Sequence, residues 1–139
     1  MNAPVLTGKR ILVAEDDPVF RRVIVFTLQK AGFEVTPCAD GQEAWKFLQE
    51  HSFDCLVVDH QMPRLCGLEL AARVRQEPSR RGLPIILCTA KRLELDIDFF
   101  IEQLQIAAIL MKPFRPSQLV QVVAEACHAP GLRHCGVHA

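Results

Sequence analysis

The chain has 139 residues, half of them hydrophobic and 23% charged, and a formal net charge of zero. That is room for one globular domain with its own core, with no global field drawing it to nucleic acid, so direct nucleic-acid binding is not expected. No apolar stretch reaches the roughly 18 residues of a membrane span, and the start, Met1-Asn2-Ala3-Pro4-Val5, lacks a secretory pattern; the expectation is a cytoplasmic protein without membrane insertion.

Residues 10–14 read as a first strand, a short continuous apolar run of the kind buried on both faces of a parallel sheet. Asp17 is a candidate N-cap and Pro18 suits the first helical position. Phe20, Val23, Ile24, Thr27, Leu28 and Ala31 then recur at helical spacing, and Gly32 is a stop signal. Residues 33–37 form a short second strand, and Asp40-Gly41 opens a helix carrying Ala44, Trp45, Phe47 and Leu48. Residues 54–58 form the third strand. A loop through Met62-Pro63 leads to a helix opened by Gly67, with Leu68, Leu70, Ala71 and Val74. Arg81-Gly82 and Pro84 mark a turn before the fourth strand at 85–88. Residues 94–104 read as a helix despite the weak formers Asp96, Ile97 and Asp98. The fifth strand spans 107–111, and a last helix runs from the candidate N-cap Ser117 to about Cys127, ended by Ala129-Pro130-Gly131.

Five strands alternating with five helices predict an α/β fold: a doubly wound parallel sheet with right-handed crossovers and helices on both faces. The expected strand order is flavodoxin-like, 2-1-3-4-5, which sets the first and third strands side by side at the switch point. Residues 1–8 are then an N-terminal extension, 9–127 the domain, and 128–139 a flexible tail.

The chemistry gathers where the apolar runs stop. Ile11-Leu12-Val13-Ala14 ends in Glu15-Asp16, Cys55-Leu56-Val57-Val58 in Asp59, Ile85-Ile86-Leu87-Cys88 in Thr89, and Ala108-Ile109-Leu110-Met111 in Lys112-Pro113. Ligands of open α/β sheets bind outside the carboxyl ends of the strands. Three carboxylates brought together there repel one another unless a cation shares the site, and hard oxygen donors suit Mg²⁺. A carboxylate can attack phosphorus, while a lysine and a hydroxyl can contact phosphoryl oxygens.

In these segments the chain resembles the receiver domain of two-component response regulators, the CheY-like family. The matching segments are Ile-Leu-Val-Ala-Glu15-Asp16-Asp17, Val-Val-Asp59-His-Gln-Met62-Pro63-x-x-x-Gly67, Leu-Cys-Thr89-Ala90 and Met-Lys112-Pro113-Phe114. The resemblance implies that Asp59 accepts a phosphoryl group from a sensor histidine kinase or histidine phosphotransfer protein. Glu15, Asp16, Asp59 and the backbone carbonyl of Gln61 would hold Mg²⁺ (or Mn²⁺). Thr89 would move toward the phosphoryl group, Lys112 would contact it, and the bond before Pro113 would be cis. It further implies a signalling switch, not a metabolic enzyme, with Mg-dependent self-phosphorylation and slow self-dephosphorylation. Output would pass to a downstream protein effector through the face around helix four, strand five and helix five, a face that also suits a homodimer. Two positions depart from the family. Ile109 stands where an aromatic switch residue is usual, and Glu15 replaces an aspartate. Gln61 and Lys91 occupy positions that tune hydrolysis in the family.

Other classes fit less well. A phosphohydrolase of the haloacid dehalogenase type wants a second acid where Gln61 stands, and a flavin binder wants a hydroxyl- and glycine-rich loop where Glu15-Asp16-Asp17 would repel phosphate. Trp45 reads as packing and His60 as solvent-exposed. Phe99, Phe100 and Ile101 suit either an interface or the core. Of Cys38, Cys55, Cys66, Cys88, Cys127 and Cys135 none forms a CxxC pair, and Cys55 and Cys88 read as small buried hydrophobes. Cys127-His128 and His134-Cys135-x-x-His138 offer zinc ligand types, but their spacing fits no closed site.

Overall fold

A computed structural model describes residues 8–90 and 102–128. Five parallel strands form one sheet in the order β2-β1-β3-β4-β5. They are β1 (Arg10–Ala14), β2 (Glu34–Cys38), β3 (Cys55–Asp59), β4 (Ile85–Thr89) and β5 (Ala108–Met111). The helices are α1 (Pro18–Lys30), α2 (Gly41–Glu50), α3 (Gly67–Gln76), α4 (residues 102–104 among those described) and α5 (Pro116–His128). A short 3₁₀ turn spans Pro78–Arg80. This is the expected doubly wound topology.

Alternation along the central strands splits the core into two layers. Leu12, Leu56, Val58 and Leu87 face α2 and α3, meeting Ala44, Leu48, Leu70 and Val74. Ile11, Val13, Val57 and Ile86 face α1 and α5, meeting Ile24, Leu28, Leu119 and Val123. Every residue of β3 and β4 is buried, as central strands covered on both faces should be. Pro37, which has no N–H to give, lies on the edge strand β2.

The helix caps are local and legible. The Asp17 carboxylate accepts the Val19 N–H at 3.0 Å and the Phe20 N–H at 3.4 Å, fixing the start of α1 with Pro18 at its first position. At its other end Gly32 takes φ 102°; its N–H donates to Gln29 O and that of Phe33 to Leu28 O, a Schellman closure. That closure moves the second strand from the expected 33–37 to Glu34–Cys38. The Phe33 N–H is used by the helix end, so the ladder begins at Glu34, whose N–H donates to Lys9 O.

Other boundaries move as well, and the fourth strand runs on to Thr89 while the fifth starts at Ala108. The third strand ends on Asp59 itself, which pairs with Cys88 of β4, while Asp54 is held outside the strand by backbone and carboxylate bonds to Arg10. Ser117 is not the cap of the last helix. Pro116 starts it, and the Gln118 side chain reaches back to accept the Arg115 N–H at 2.9 Å. The helix extends to His128, one residue into the expected tail. Of the helix expected at 94–104, residues 102–104 are helical; Phe99, Phe100, Ile101, Lys91 and the His134–His138 segment lie outside the described residues. Trp45 packs against the core under the Arg73 guanidinium, 5.8 Å from the ring centroid.

Candidate phosphoryl-transfer and metal site

The parallel register brings the strand ends level. Ala14 pairs with Val58 across β1 and β3, Asp59 with Cys88 across β3 and β4, and Thr89 with Met111 across β4 and β5. Glu15, Asp16, Asp59, Thr89 and Lys112 therefore emerge at one carboxyl edge, as the sequence implied. Carboxylate oxygens of Glu15, Asp16 and Asp59 lie within 4.8 Å of one another. Glu15 is 1% exposed and Asp59 4%, whereas Asp16 faces solvent.

Glu15 is tied in at both ends. Its N–H donates to Cys38 O, its carbonyl accepts Arg21 Nη1 at 2.7 Å, and its Oε2 accepts the Asp17 N–H at 3.2 Å. Lys112 Nζ sits 3.0 Å from Glu15 Oε1 and 3.4 Å from Asp59 Oδ1. The peptide bond between Lys112 and Pro113 is cis, as expected. The ammonium also lies 4.4 Å from the Phe20 ring centroid, and Phe20 meets Phe114 edge-on at 5.4 Å. Phe20 thus supplies a cation–π platform for Lys112, a role its helical spacing did not reveal.

Burial raises the pKa of Glu15 above its ordinary value, and Asp59 adds to the rise, while Lys112 and the Asp17 N–H work against it. Burial likewise raises Asp59, opposed by Lys112 and by a hydrogen bond from the Gln61 backbone N–H. Burial pulls the Lys112 ammonium down, but the bond to Glu15 and the charges of Glu15 and Asp59 outweigh it, and the net shift is upward. Both carboxyls are thus held at a cost that a further cation would relieve. Glu15 Oε1 and Asp59 Oδ1 are buried without a well-aligned hydrogen bond. Buried, under-satisfied hard oxygens beside a solvent-facing carboxylate fit a small divalent cation such as Mg²⁺.

Thr89 is fully buried one strand from Asp59, and its carbonyl accepts the Lys112 N–H at 2.8 Å. Ile109, on β5, is half-buried against the α2–α3 side of the core. Gln61 is exposed and meets Asp59 through its N–H. His60 is half-buried rather than exposed. Its N–H donates to Cys88 O and its carbonyl accepts the Gly67 N–H, so the backbone on both sides of it is tied down.

The family model of the response regulator receiver domain matches residues 11–124. The chain belongs to that family. It is 39% identical over 116 residues to the response regulator receiver protein CpdR of Brucella abortus, covering 83% of this chain and 93% of that protein. It is 34% identical over 122 residues to hybrid signal transduction histidine kinase I of Dictyostelium discoideum, covering 83% of this chain but 7% of that kinase. The phosphate regulon regulatory protein PhoB of Pseudomonas aeruginosa is 32% identical over 117 residues and is spanned to half its length. Among solved structures, the receiver domain of the sensor histidine kinase PA1611 from Pseudomonas aeruginosa, with a magnesium ion in its active-site cleft, superposes with a TM-score of 0.79 at 30% identity, covering 88% of this chain and 99% of that one. The chemotaxis regulator CheY4 of Vibrio cholerae gives 0.78 at 29% identity, covering 86% and 98%. The receiver is thus shared by a free-standing protein, a transcription regulator and a kinase. Among the described residues, no helix is long and apolar enough to cross a membrane.

Proposed function

We propose that the chain is a phosphorylation switch in which Asp59 accepts a phosphoryl group from a histidine kinase or histidine phosphotransfer protein. The observation that carries this reading is the Glu15–Asp59–Lys112 ion-pair cluster, buried at the carboxyl edge and opened to solvent by Asp16. An Asp59 oxygen attacks phosphorus, a P–O bond forms, and the P–N bond to the donor imidazole breaks with its electron pair passing to the ring nitrogen. The Gln61 N–H holds the carboxylate, and Lys112 can turn from it to a phosphoryl oxygen, a charge-assisted contact. Glu15, Asp16, Asp59 and the Gln61 carbonyl would hold Mg²⁺, which neutralises charge on the transferring group. The burial of Glu15 and Asp59 keeps water from the reacting oxygen.

The donor protein has a natural landing place. Val19, Val23 and Phe26 are 66%, 49% and 63% exposed and recur along one face of α1, the helix that begins beside Asp16. An exposed apolar stripe abutting a reaction site suits a protein partner. Output passes through a second surface, a groove of about 360 Å³ between β5 and α5 lined by Ile109, Met111, Pro113, Phe114, Gln118 and Val122. Ile109 lines that groove on β5, and β4, which carries Thr89, separates β5 from the strand of Asp59, so an aliphatic rearrangement there can relay phosphorylation to a downstream protein without an aromatic switch.

The test is intact mass after incubation with acetyl phosphate, with and without Mg²⁺, for wild type and Asp59→Asn. One phosphoryl group is expected on wild type with Mg²⁺ and none on the variant. Equal phosphorylation of Asp59→Asn would falsify the assignment of the acceptor.

A further inference from the structure

At the opposite, amino edge of the sheet lies chemistry that phosphoryl transfer does not use. Cys55 opens β3 and Cys127 lies in the last turn of α5. They are 72 positions apart in sequence, yet both sit in the same core layer, 0% and 5% exposed. In that layer α5 packs against β3, and each thiol perturbs the other, while the Cys55 S–H donates to Leu56 O at 3.9 Å. Both are free thiols. Cys127 also lines an open cleft of about 520 Å³, with Lys9, Phe53, Asp54, Arg80 and Pro84 among its walls. The cleft gives a small oxidant a route to one sulfur of a pair whose other member is sealed.

We propose that Cys55 and Cys127 form a redox-closable disulfide that staples the end of α5 to the start of β3 when the protein meets a hydroperoxide. Cys127 is the attacking sulfur and Cys55 the resolving one. The neighbouring Cys55 thiol and the charge of Lys9 favour the Cys127 thiolate against the cost of burial; the thiolate is the nucleophile, and Cys127 is the sulfur that lines the cleft. Cys127 takes one peroxide oxygen as its S–O bond forms and the O–O bond breaks, giving a sulfenic acid, and the departing hydroxide leaves as water with the Cys127 proton. Cys55 sulfur then attacks Cys127 sulfur. The S–S bond forms, the S–O bond breaks, and the second hydroxide leaves as water with the Cys55 proton. Two thiols lose two electrons and two protons, and hydrogen peroxide is reduced to two waters. The sulfurs must close to about 2.05 Å, with the terminal turn of α5 as the element that shifts. Any thiol pool that reduces such bonds resets the staple.

The experiment is native treatment with hydrogen peroxide, in a Cys66→Ser/Cys135→Ser background, followed by alkylation and a non-reducing peptide map. The expected result is one peptide pair joined through Cys55 and Cys127, an intact mass lower by about 2 Da for the two hydrogens lost, and a thermal midpoint above that of the reduced protein. Dithiothreitol should reverse all three, and Cys127→Ser should abolish the link. Cys55→Ala is the second variant should the first fail to fold, and the map of the background protein decides by itself. A folded protein that keeps both thiols, carries over-oxidised Cys127 beside free Cys55, or joins Cys55 to Cys88 instead overturns the proposal.

Discussion

Gly67 is where the fold and the site constrain each other most tightly. A Cβ at this first position of α3 would lie 2.8 Å from Asp59 O, 2.9 Å from His60 Cα and 3.0 Å from Leu87 Cδ1. The Leu87 methyl can swing away, but the other two atoms are backbone of the strand end that carries the acceptor. Gly67→Ala must therefore push α3 and the end of β3 apart by several tenths of an ångström, stretching the 3.0 Å bond from Gly67 N to His60 O. Overpacking of this kind costs about 1–3 kcal/mol, and the better helix propensity of alanine returns at most about 1 kcal/mol. A net loss of about 1–2 kcal/mol lowers the midpoint of a domain this size by roughly 4–8 °C. Because the displaced backbone positions Asp59 and Gln61, Mg²⁺ affinity should fall as well. Thermal unfolding by circular dichroism and calorimetric Mg²⁺ titration give the two readouts, and adding Leu87→Val should recover neither. A variant melting within about 1 °C of wild type would refute the packing argument; one that melts early yet binds Mg²⁺ unchanged would show that the strain is relieved away from the site.

Three further outcomes are expected. Asp59 is held above its ordinary pKa, so the folded state disfavours its ionised form; stability is greatest below the unfolded value and is lost as pH rises through the folded one. In EDTA, Asp59→Asn should therefore melt higher than wild type at pH 7, with the gain shrinking as pH falls toward 4; a gain independent of pH would sink this account. Arg75 donates to four backbone carbonyls, from Nε to Leu104, from Nη1 to Arg81 and Leu83, and from Nη2 to Gln105, at 2.7–3.1 Å. Lysine cannot span that fork, so Arg75→Lys should cost about 2–3 kcal/mol in urea unfolding, and a loss below about 0.5 kcal/mol contradicts the clamp. Burial pushes the Cys38 thiol up to about 12, so iodoacetamide at pH 8 should label Cys66, which is partly exposed, well before Cys38. Equal labelling rates in the folded protein would refute that ordering.

What was legible in the sequence is what short range encodes. Asp17-Pro18 caps α1 with its own carboxylate, Gly32 closes the same helix, and each apolar run stops at a polar residue of the candidate site. Parallel pairing does the rest, because strands that start level end level and deliver Glu15, Asp59 and Lys112 to one place. What escaped is long-range or competitive. Ser117 has the right side chain for a cap, but Pro116 already fits the first helical position and Gln118 takes the orphan Arg115 N–H. Phe20 reads as one more core position until Lys112, 92 residues later, rests over its ring. Arg75 looks like a solvated helix residue because its partners are carbonyls, which carry no mark in a sequence. Cys55 reads correctly as buried, but Cys127 reads only as the end of a helix, and nothing in the sequence puts the two in one core layer.

These long-range contacts give α5 a particular standing. The segment leading into it begins at Lys112, whose ammonium is shared by Glu15 and Asp59 at the carboxyl edge. The last turn of the helix carries Cys127, in the same core layer as Cys55 at the amino edge. Between them Leu119 and Val123 bury it on the sheet, and its other side forms one wall of the β5–α5 groove. Phosphorylation of Asp59 would act on this segment from one end by drawing Lys112 to a new oxygen, and oxidation from the other by tethering Cys127. A disulfide at the far edge leaves the phosphoryl site intact, so the two inputs are separable. Oxidised protein should still be phosphorylated from acetyl phosphate at the wild-type extent, while the Met111–Phe114–Val122 surface becomes less mobile. Amide hydrogen exchange along α5, measured for the reduced, oxidised and phosphorylated states, reads that difference directly. Protection gained on oxidation only at the α5 C-terminal turn would confine the staple to a local role, and protection spreading to residues 118–122 would make it a second control on the output surface.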